Sequence, residues 1–243
     1  VINELSIIIP TLNEEKYLPK LLNSIIEQNF GGKLQVIVVD GSSIDRTVVI
    51  AQSYKEKIKD FLILKTKADT GGQRNKGADK AKYEHIVFID ADMILPKNLL
   101  NKFTEIINPN QKIIHVPIYF PVPGISLVHL AYYFAGLVVV VFSIFSPATP
   151  GQFIFTTKKN HFEIGGFKEG VVAGEDIDYG ERSIKNGANF KIHYNCFVLT
   201  SVRRAQKMGA FNMIWFYLKT FIYYKMHGVP YNKKKFKYSY GDY

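Results

Sequence analysis

Short β-branched runs alternate with helix-period stretches through the first hundred residues. Leu5–Ile9, Gln35–Val39, Phe61–Leu64 and Ile86–Ile89 are apolar enough to be predicted as buried strands. Between and after them, 14–28, 45–55, 72–81 and 96–107 have the spacing predicted for helices. This βαβα order predicts an α/β fold with a mostly parallel sheet and helices on both faces. From Lys112 the pattern changes. A strand is expected over 113–118, then a turn at Pro121-Val122-Pro123-Gly124 and a long apolar stretch. Further strands are expected over 151–156 and, as a pair or one bent strand, over 190–200. A polar helix is expected over 174–186 and an aromatic helix over 210–226, before a basic tail with Lys233-Lys234-Lys235. No internal repeat is visible, and only the last dozen or so residues read as disordered.

The apolar run 127–145 is broken only by His129 and Ser143, and 19 residues at about 1.5 Å each approach the thickness of a bilayer core. Composition alone permits a membrane span. A single span would, however, put Asp92 and the acidic cluster at 175–178 on opposite sides of a membrane. If those clusters share a site, the run must be buried, interfacial or re-entrant. The aromatic helix, with Trp215, Phe216, Tyr217, Phe221, Tyr223 and Tyr224 among Lys219 and Lys225, has the mix of an interface-seeking surface or of ordinary core packing.

With 243 residues, 47% hydrophobic and 14% aromatic, the chain can bury a real core, as one domain or two intimately joined halves; one domain is favoured. A net charge of +10 implies anionic company: nucleotide phosphates, an anionic membrane or nucleic acid. Nucleic acid is disfavoured, because the basic residues lie in no recognisable RNA- or DNA-binding frame. The single cysteine, Cys196, excludes an internal disulfide and a multi-cysteine zinc site, and its apolar neighbours suggest a buried strand. No basic-then-apolar leader precedes the first strand, so a secretory signal is not expected. His85, His115, His129, His161, His193 and His227 show no metal-ligand spacing.

Ligands of open parallel sheets bind at the carboxyl ends of the strands, and the polar clusters fall there. Asp90-Ala91-Asp92 follows His85-Ile86-Val87-Phe88-Ile89; it is either an exposed acidic turn before Pro96 or, at a core edge where an unpaired acidic pair costs several kcal/mol, a grip for a cation, and the second is favoured. Asp40, before Gly41-Ser42-Ser43, can accept a hydrogen bond from a base or ribose, whereas Ser43 and Asp45 suit helix capping. Thr11, Asn13 and Glu14 admit the same capping explanation. Thr70-Gly71-Gly72-Gln73-Arg74-Asn75-Lys76-Gly77 lacks the Walker order; it reads either as a turn presenting donors to an anion or as a solvated basic helix start. Glu175, Asp176 and Asp178 open a helix, and three acids in four positions exceed what the helix dipole needs. One could take a proton from an attacking hydroxyl. Arg203 and Arg204 offer guanidinium groups to a diphosphate or lipid phosphate, or form a solvated basic edge.

Taken in order, Ile9-Pro10-Thr11-Leu12-Asn13-Glu14-Glu15, Val39 to Thr47, Arg74-Asn75-Lys76-Gly77, Phe88-Ile89-Asp90-Ala91-Asp92, Gly165-Gly166-Phe167 and Glu175-Asp176-Ile177-Asp178 resemble the family 2 glycosyltransferases of the GT-A fold. The resemblance covers about residues 5 to 205. It implies a single GT-A domain over 1–205, with a nucleotide-sugar-binding half at 1–92 and an acceptor half at 93–205, followed by an amphipathic helix and basic tail at 206–243. It also implies that Pro10, Thr11, Asn13, Glu14 and Asp40 line the base and ribose of a UDP- or GDP-linked sugar, with Arg74 nearby. Asp90 would face the ribose or metal, Asp92 would hold Mn²⁺ or Mg²⁺ on the diphosphate as in a DXD motif, and Arg203 and Arg204 would meet the leaving group. Asp176 matches the catalytic base, supported by Glu175 and Asp178, in one inverting displacement. The Gln-x-x-Arg-Trp signature of processive members is missing, with Ser201-Val202-Arg203-Arg204 near its place, so a long polymer product is not expected.

The apolar insert and the aromatic helix suggest a lipid-linked or membrane-held acceptor and a peripheral position at the cytoplasmic face of an anionic membrane. The competing expectations are a non-catalytic nucleotide- or membrane-binding module on the same fold and a sugar nucleotidyltransferase, whose glycine-rich N-terminal loop is absent here. The base, the sugar, the acceptor and the oligomeric state are not legible in the sequence.

Overall fold

The computed structural model describes residues 2–133, except 125, 127 and 131, and residues 151–231. Most of the apolar run 127–145, and the tail with Lys233-Lys234-Lys235, lie outside the described residues. The strands are β1 (Glu4–Thr11), β2 (Lys33–Asp40), β3 (Asp60–Lys65), β4 (His85–Ile89), β5 (Met93–Ile94), β6 (Ile113–Pro121), β7 (Phe153–Thr157) and β8 (Asn189–Thr200). The helices are α1 (Leu18–Ile26), α2 (Thr47–Gln52), α3 (Thr70–Lys80), α4 (Leu99–Ile106), α5 (Lys158–Glu163), α6 (Glu175–Lys185), α7 (Arg203–Met208) and α8 (Ala210–His227).

The strands form one sheet in the order β3-β2-β1-β4-β7-β6-β8-β5. The first four of these are parallel, as the alternating pattern predicts, whereas β7 runs antiparallel to both β4 and β6. The predicted pair or bent strand over 190–200 is one strand, β8, parallel to β6. Its register jumps from Pro117 opposite His193 to Ile118 opposite Phe197, a bulge that absorbs the extra residues.

Alternation along β1 supplies two cores. Leu5, Ile7 and Ile9 face Leu18, Leu21, Leu22 and Ile25 of α1 and Leu99, Leu100 and Phe103 of α4. The α1 residues repeat at helical spacing, and Pro19 sits in the first turn, where its missing N–H costs nothing. Ile8 points the other way, with Ile37, Val39, Phe88, Ile154, Phe167 and Tyr179. On that side α3 approaches so closely that a Cβ at Gly77 would lie 2.3 Å from the Ile8 Cγ2 atom. The glycine-rich stretch 70–77 is therefore helical from its first residue and packed against the sheet. Among the described residues no helix is long and apolar enough to cross a membrane.

The bulged strand carries a buried histidine pair. His193 and His115 meet through Nε2 and Nδ1 at 3.0 Å, and the His193 ring lies edge-on to Phe103. Burial lowers His115 from the ordinary histidine value to about 3 and His193 to about 4. The unfolded chain binds these protons near pH 6.5 and the folded chain only below about 4, so stability falls as pH drops through that window. In urea titrations the two histidines should lower the unfolding free energy as pH falls from 6.5 to 4, at up to about 1.4 kcal/mol per pH unit each, against the opposite slope of Glu14 and Glu175, which burial raises to about 7. His193→Gln should flatten the decline, and an unchanged slope would remove the pair from the account.

Candidate active site

The ends of β1 and β2 are laced into one rim. Gln73, fully buried on α3, donates through Nε2 to the carbonyls of Thr11 (2.9 Å) and Val39 (2.6 Å). Pro10 is buried in β1 opposite Val39. Asn13 holds a left-handed backbone with φ of 56°; its Oδ1 accepts from the Ile44 N–H, and its own N–H donates to Ser43 Oγ. The Glu14 N–H donates to Thr47 Oγ1 at 2.7 Å. Asp40, 1% exposed, accepts the Ser42 and Ser43 N–H groups on Oδ2. Its other oxygen, Oδ1, is buried with no hydrogen-bond partner among the described residues.

Arg74 is the centre of the cleft. Its side chain is 2% exposed, and one terminal nitrogen donates to Asp90 Oδ1 and to the Gly151 carbonyl, both at 2.8 Å. The other reaches Glu175 Oε1 at 3.4 Å. The guanidinium lies 5.0 Å from the centre of the Phe167 ring, which stacks on Tyr179. Asn75 fixes Phe167 by bonding both its N–H and its carbonyl, and Gly165 and Gly166 supply the positive φ angles that turn the chain there. Arg74 is thus neither a solvated helix start nor a loop residue. It is a buried cation on a prepared aromatic face.

Asp176 lies in the first turn of α6. Its Oδ2 accepts the Gly151 N–H at 2.7 Å and its Oδ1 the Ile177 N–H at 2.9 Å. A Cβ at Gly151 would come within 2.8 Å of the Asp176 Cβ, so this carboxylate needs glycine beside it. Burial pushes Asp176 and Glu175 above the ordinary carboxylate range; Arg74 opposes the rise in both. Burial also raises Asp90 against the pull of Arg74. The phenol of Tyr119, which donates to the Phe153 carbonyl, stands in the field of Asp90, Asp176 and Arg74.

The two acids of the 90–92 pair face different partners. Asp92 Oδ2 accepts from Ser201 Oγ at 2.6 Å and lies 3.2 Å from Arg203 Nε. The remaining Arg203 nitrogens fork onto both oxygens of Glu14, at 2.8 and 2.5 Å, while the guanidinium rests on the Tyr17 ring. Burial, opposed by Arg203 and reinforced by Asp92 and Asp90, lifts Glu14 to about 7. Arg204 donates to the Tyr217 hydroxyl on α8 and adds to the field at Asp90.

Asp40, Arg74, Asp90, Asp92, Glu175 and Asp176, with Glu14, Arg203 and Arg204, therefore gather at the carboxyl edge of the parallel strands. Asp178 does not join them. It is buried under Lys168 and Arg182, which pair with its two oxygens at 2.8 and 2.7 Å, and it braces α6. Gly151, Gln73, Tyr17 and Tyr119 are site residues that composition did not single out. Their roles rest on a carbonyl, an amide and ring faces, none of which leaves a charge pattern.

Among the described residues no three His, Cys, Asp or Glu side chains are arranged to hold a metal. Asp92 and Asp90, two carboxylates two positions apart with side chains 13% and 28% exposed, still have the donor chemistry for Mg²⁺ or Mn²⁺, which bind through one or two carboxylates and complete their shells with substrate phosphates and water.

The family model for glycosyl transferase family 2 matches residues 6–168. Poly(ribitol-phosphate) beta-N-acetylglucosaminyltransferase TarS of Staphylococcus aureus is 35% identical over 99 residues, covering 39% of this chain and 17% of TarS. The GalNAc(5)-diNAcBac-PP-undecaprenol beta-1,3-glucosyltransferase of Campylobacter jejuni is 37% identical over 92 residues, covering 37% of this chain and 29% of that protein. The chain thus spans less than a third of the length of either. The crystal structure of TarS residues 1–349 with UDP-GlcNAc superposes with a TM-score of 0.65 at 20% identity, over 82% of this chain and 58% of that one. Mannosyltransferase PcManGT of Pyrobaculum calidifontis, with GDP-Man and Mn²⁺, gives 0.63 at 20%, over 82% and 56%. With the sheet order, the clustered carboxylates and a family match over more than half its length, this chain belongs to glycosyl transferase family 2 and has the GT-A fold.

Proposed function

We propose that the chain is a metal-dependent, inverting, non-processive glycosyltransferase that moves a sugar from a UDP- or GDP-linked donor to a lipid-linked or membrane-held acceptor. The observation that carries this reading is Arg74, whose guanidinium joins Asp90, Gly151 and Glu175 beside an Asp176 carboxylate held by two backbone N–H groups. Donor-side and acceptor-side acids thereby meet in one cleft. The bound UDP-GlcNAc and GDP-Man of the two structural relatives, and the undecaprenol in the name of the Campylobacter relative, support the substrate classes. A peripheral position at the cytoplasmic face of a membrane follows from such an acceptor.

In this reading the free oxygen of Asp40 accepts a base N–H, and Pro10, Thr11, Asn13 and Glu14 enclose base and ribose. Asp92, with Asp90, would hold Mn²⁺ or Mg²⁺, which would supply positive charge to the diphosphate. Asp176 takes the proton of the acceptor hydroxyl. The freed electron pair bonds to the anomeric carbon while the bond from that carbon to the diphosphate oxygen breaks. Nucleoside diphosphate leaves with that pair, its charge met by Arg203 and Arg204. With a phosphate acceptor, Asp176 orients it rather than deprotonating it.

Donor sugars with Mn²⁺ should raise the melting temperature and turn over, and Asp92→Ala should lose the Mn²⁺-dependent part of that shift. Undiminished transfer in both Asp92→Ala and Asp176→Asn would sink the reading. Nucleotide binding with no hydrolysis or transfer across a donor and acceptor panel would make the chain a binding module instead.

A further inference from the structure

Helix α8 carries a surface that the donor site does not use. Met213 and Thr220, seven residues apart, are buried at 1% and 3% exposure and seat one side of the helix. Tyr224 and Lys225 tie its far end to Glu181 of α6. On the opposite side stand Phe211, Trp215, Leu218, Ile222 and Met226, from 42% to 80% exposed. Their spacing of four, three, four and four residues places them in one continuous stripe, roughly 22 Å long at 1.5 Å per residue. Contiguous exposed apolar surface of this kind marks an interaction site.

Charge identifies the partner. From Arg182 to Gly241 the sequence has twelve Lys and Arg and no Asp or Glu, so residues 1–181 are close to neutral and the net charge of +10 belongs to the last quarter of the chain. Lys219 and Lys225 flank the stripe itself. A second copy laid against this face would bring the basic last quarters of two chains together, with Glu181 already taken up by Lys225 within each chain. A nucleic acid would satisfy the lysines and leave five large apolar side chains in water. An anionic bilayer satisfies both, and an aromatic, lysine-flanked helix is the composition that settles at its interface.

We propose that the Phe211–Met226 stripe docks helix α8 into the headgroup boundary of an anionic lipid bilayer, drawn there by the net positive charge of the last quarter of the chain. The proposal deepens the reading of a membrane-held acceptor and rests on it for its purpose. The inner side of the same helix meets the cleft, since Tyr217 accepts from Arg204 and Tyr132 stands in the field of both Tyr217 and Asp92. Docking therefore brings the donor site beside the lipid surface.

Trp215 is the only tryptophan in the chain, which makes the test direct. Vesicles of phosphatidylglycerol and phosphatidylcholine, added to the full chain without nucleotide, should shift its emission to the blue, and lipids brominated on the acyl chain should quench it. Phosphatidylcholine alone should do neither, and raised salt should weaken the effect. Phe211→Asp and Ile222→Asp should each lower vesicle partitioning by about tenfold, with circular dichroism and the donor-induced melting shift unchanged. Emission indifferent to anionic vesicles would overturn the proposal, whether sedimentation equilibrium then shows a dimer covering the stripe or a monomer. Vesicle binding without donor binding would sink the transferase reading alone; donor turnover without vesicle binding would sink the docking surface alone.

Discussion

Asp176→Asn is expected to lower the rate of transfer by about 10²- to 10⁴-fold at saturating donor, the range for loss of a positioned base. Donor affinity should largely hold, because among the described residues the Asp176 carboxylate bonds the Gly151 and Ile177 N–H groups, neither of which is assigned to the nucleotide. The pH profile separates a base from a brace. Burial raises Asp176, so the acidic limb of the parent rate should lie above the ordinary aspartate range and vanish in the variant. Asp178→Asn, which breaks contacts to Lys168 and Arg182, should cost stability and leave that limb in place. A rate within a few-fold of the parent in Asp176→Asn, on a hydroxyl acceptor, would remove Asp176 from the chemistry.

Arg74→Met should be the most destabilising single change at the site, at about 3–5 kcal/mol, because it removes one partner of a buried ion pair and strands the others. Asp90 and Glu175, 28% and 21% exposed, would lose their shared cation, and the Gly151 carbonyl its donor. Urea unfolding reads the loss. Adding Asp90→Asn to Arg74→Met should recover part of it, since a neutral amide leaves less charge uncompensated. Additive losses in the double variant would show that the ion pair is not the source. Arg74→Lys should not rescue, because a single ammonium cannot reproduce the planar fork that meets three partners.

The parallel half of the fold was legible because β-branched runs and strand-end polar clusters recur there with a plain period. β5 escaped because two residues, Met93 and Ile94, carry no period at all. α5 escaped because six residues with two buried polar side chains, Asn160 and His161, do not look amphipathic; only its cap, Thr157 accepting from the Asn160 N–H, is a local signal. The insertion of β7 between β4 and β6 is a long-range pairing that no local pattern encodes. Asp92 and Asp176 stood out as charge near apolar runs. Arg74 reads in the sequence as charge near an anion, near the nucleotide by the resemblance, or as part of a solvated helix start, because a sequence does not state that three acceptors from three segments converge on one guanidinium. Arg203 and Glu14 are 189 positions apart, and only folding makes them neighbours.

The way Arg74 is held sets a rule for recombining this fold. Its acceptors come from Asp90 in the first half of the chain and from Gly151 and Glu175 in the second. A chimera that grafts residues 1–92 onto the second half of another family member inherits the arginine and Asp90 but not Glu175 or Gly151. Any backbone offers a carbonyl at the position of Gly151. The glycine that leaves room for Asp176, and the carboxylate of Glu175, must travel with the graft, so the first half of the domain cannot be exchanged alone without carrying two residues from beyond it.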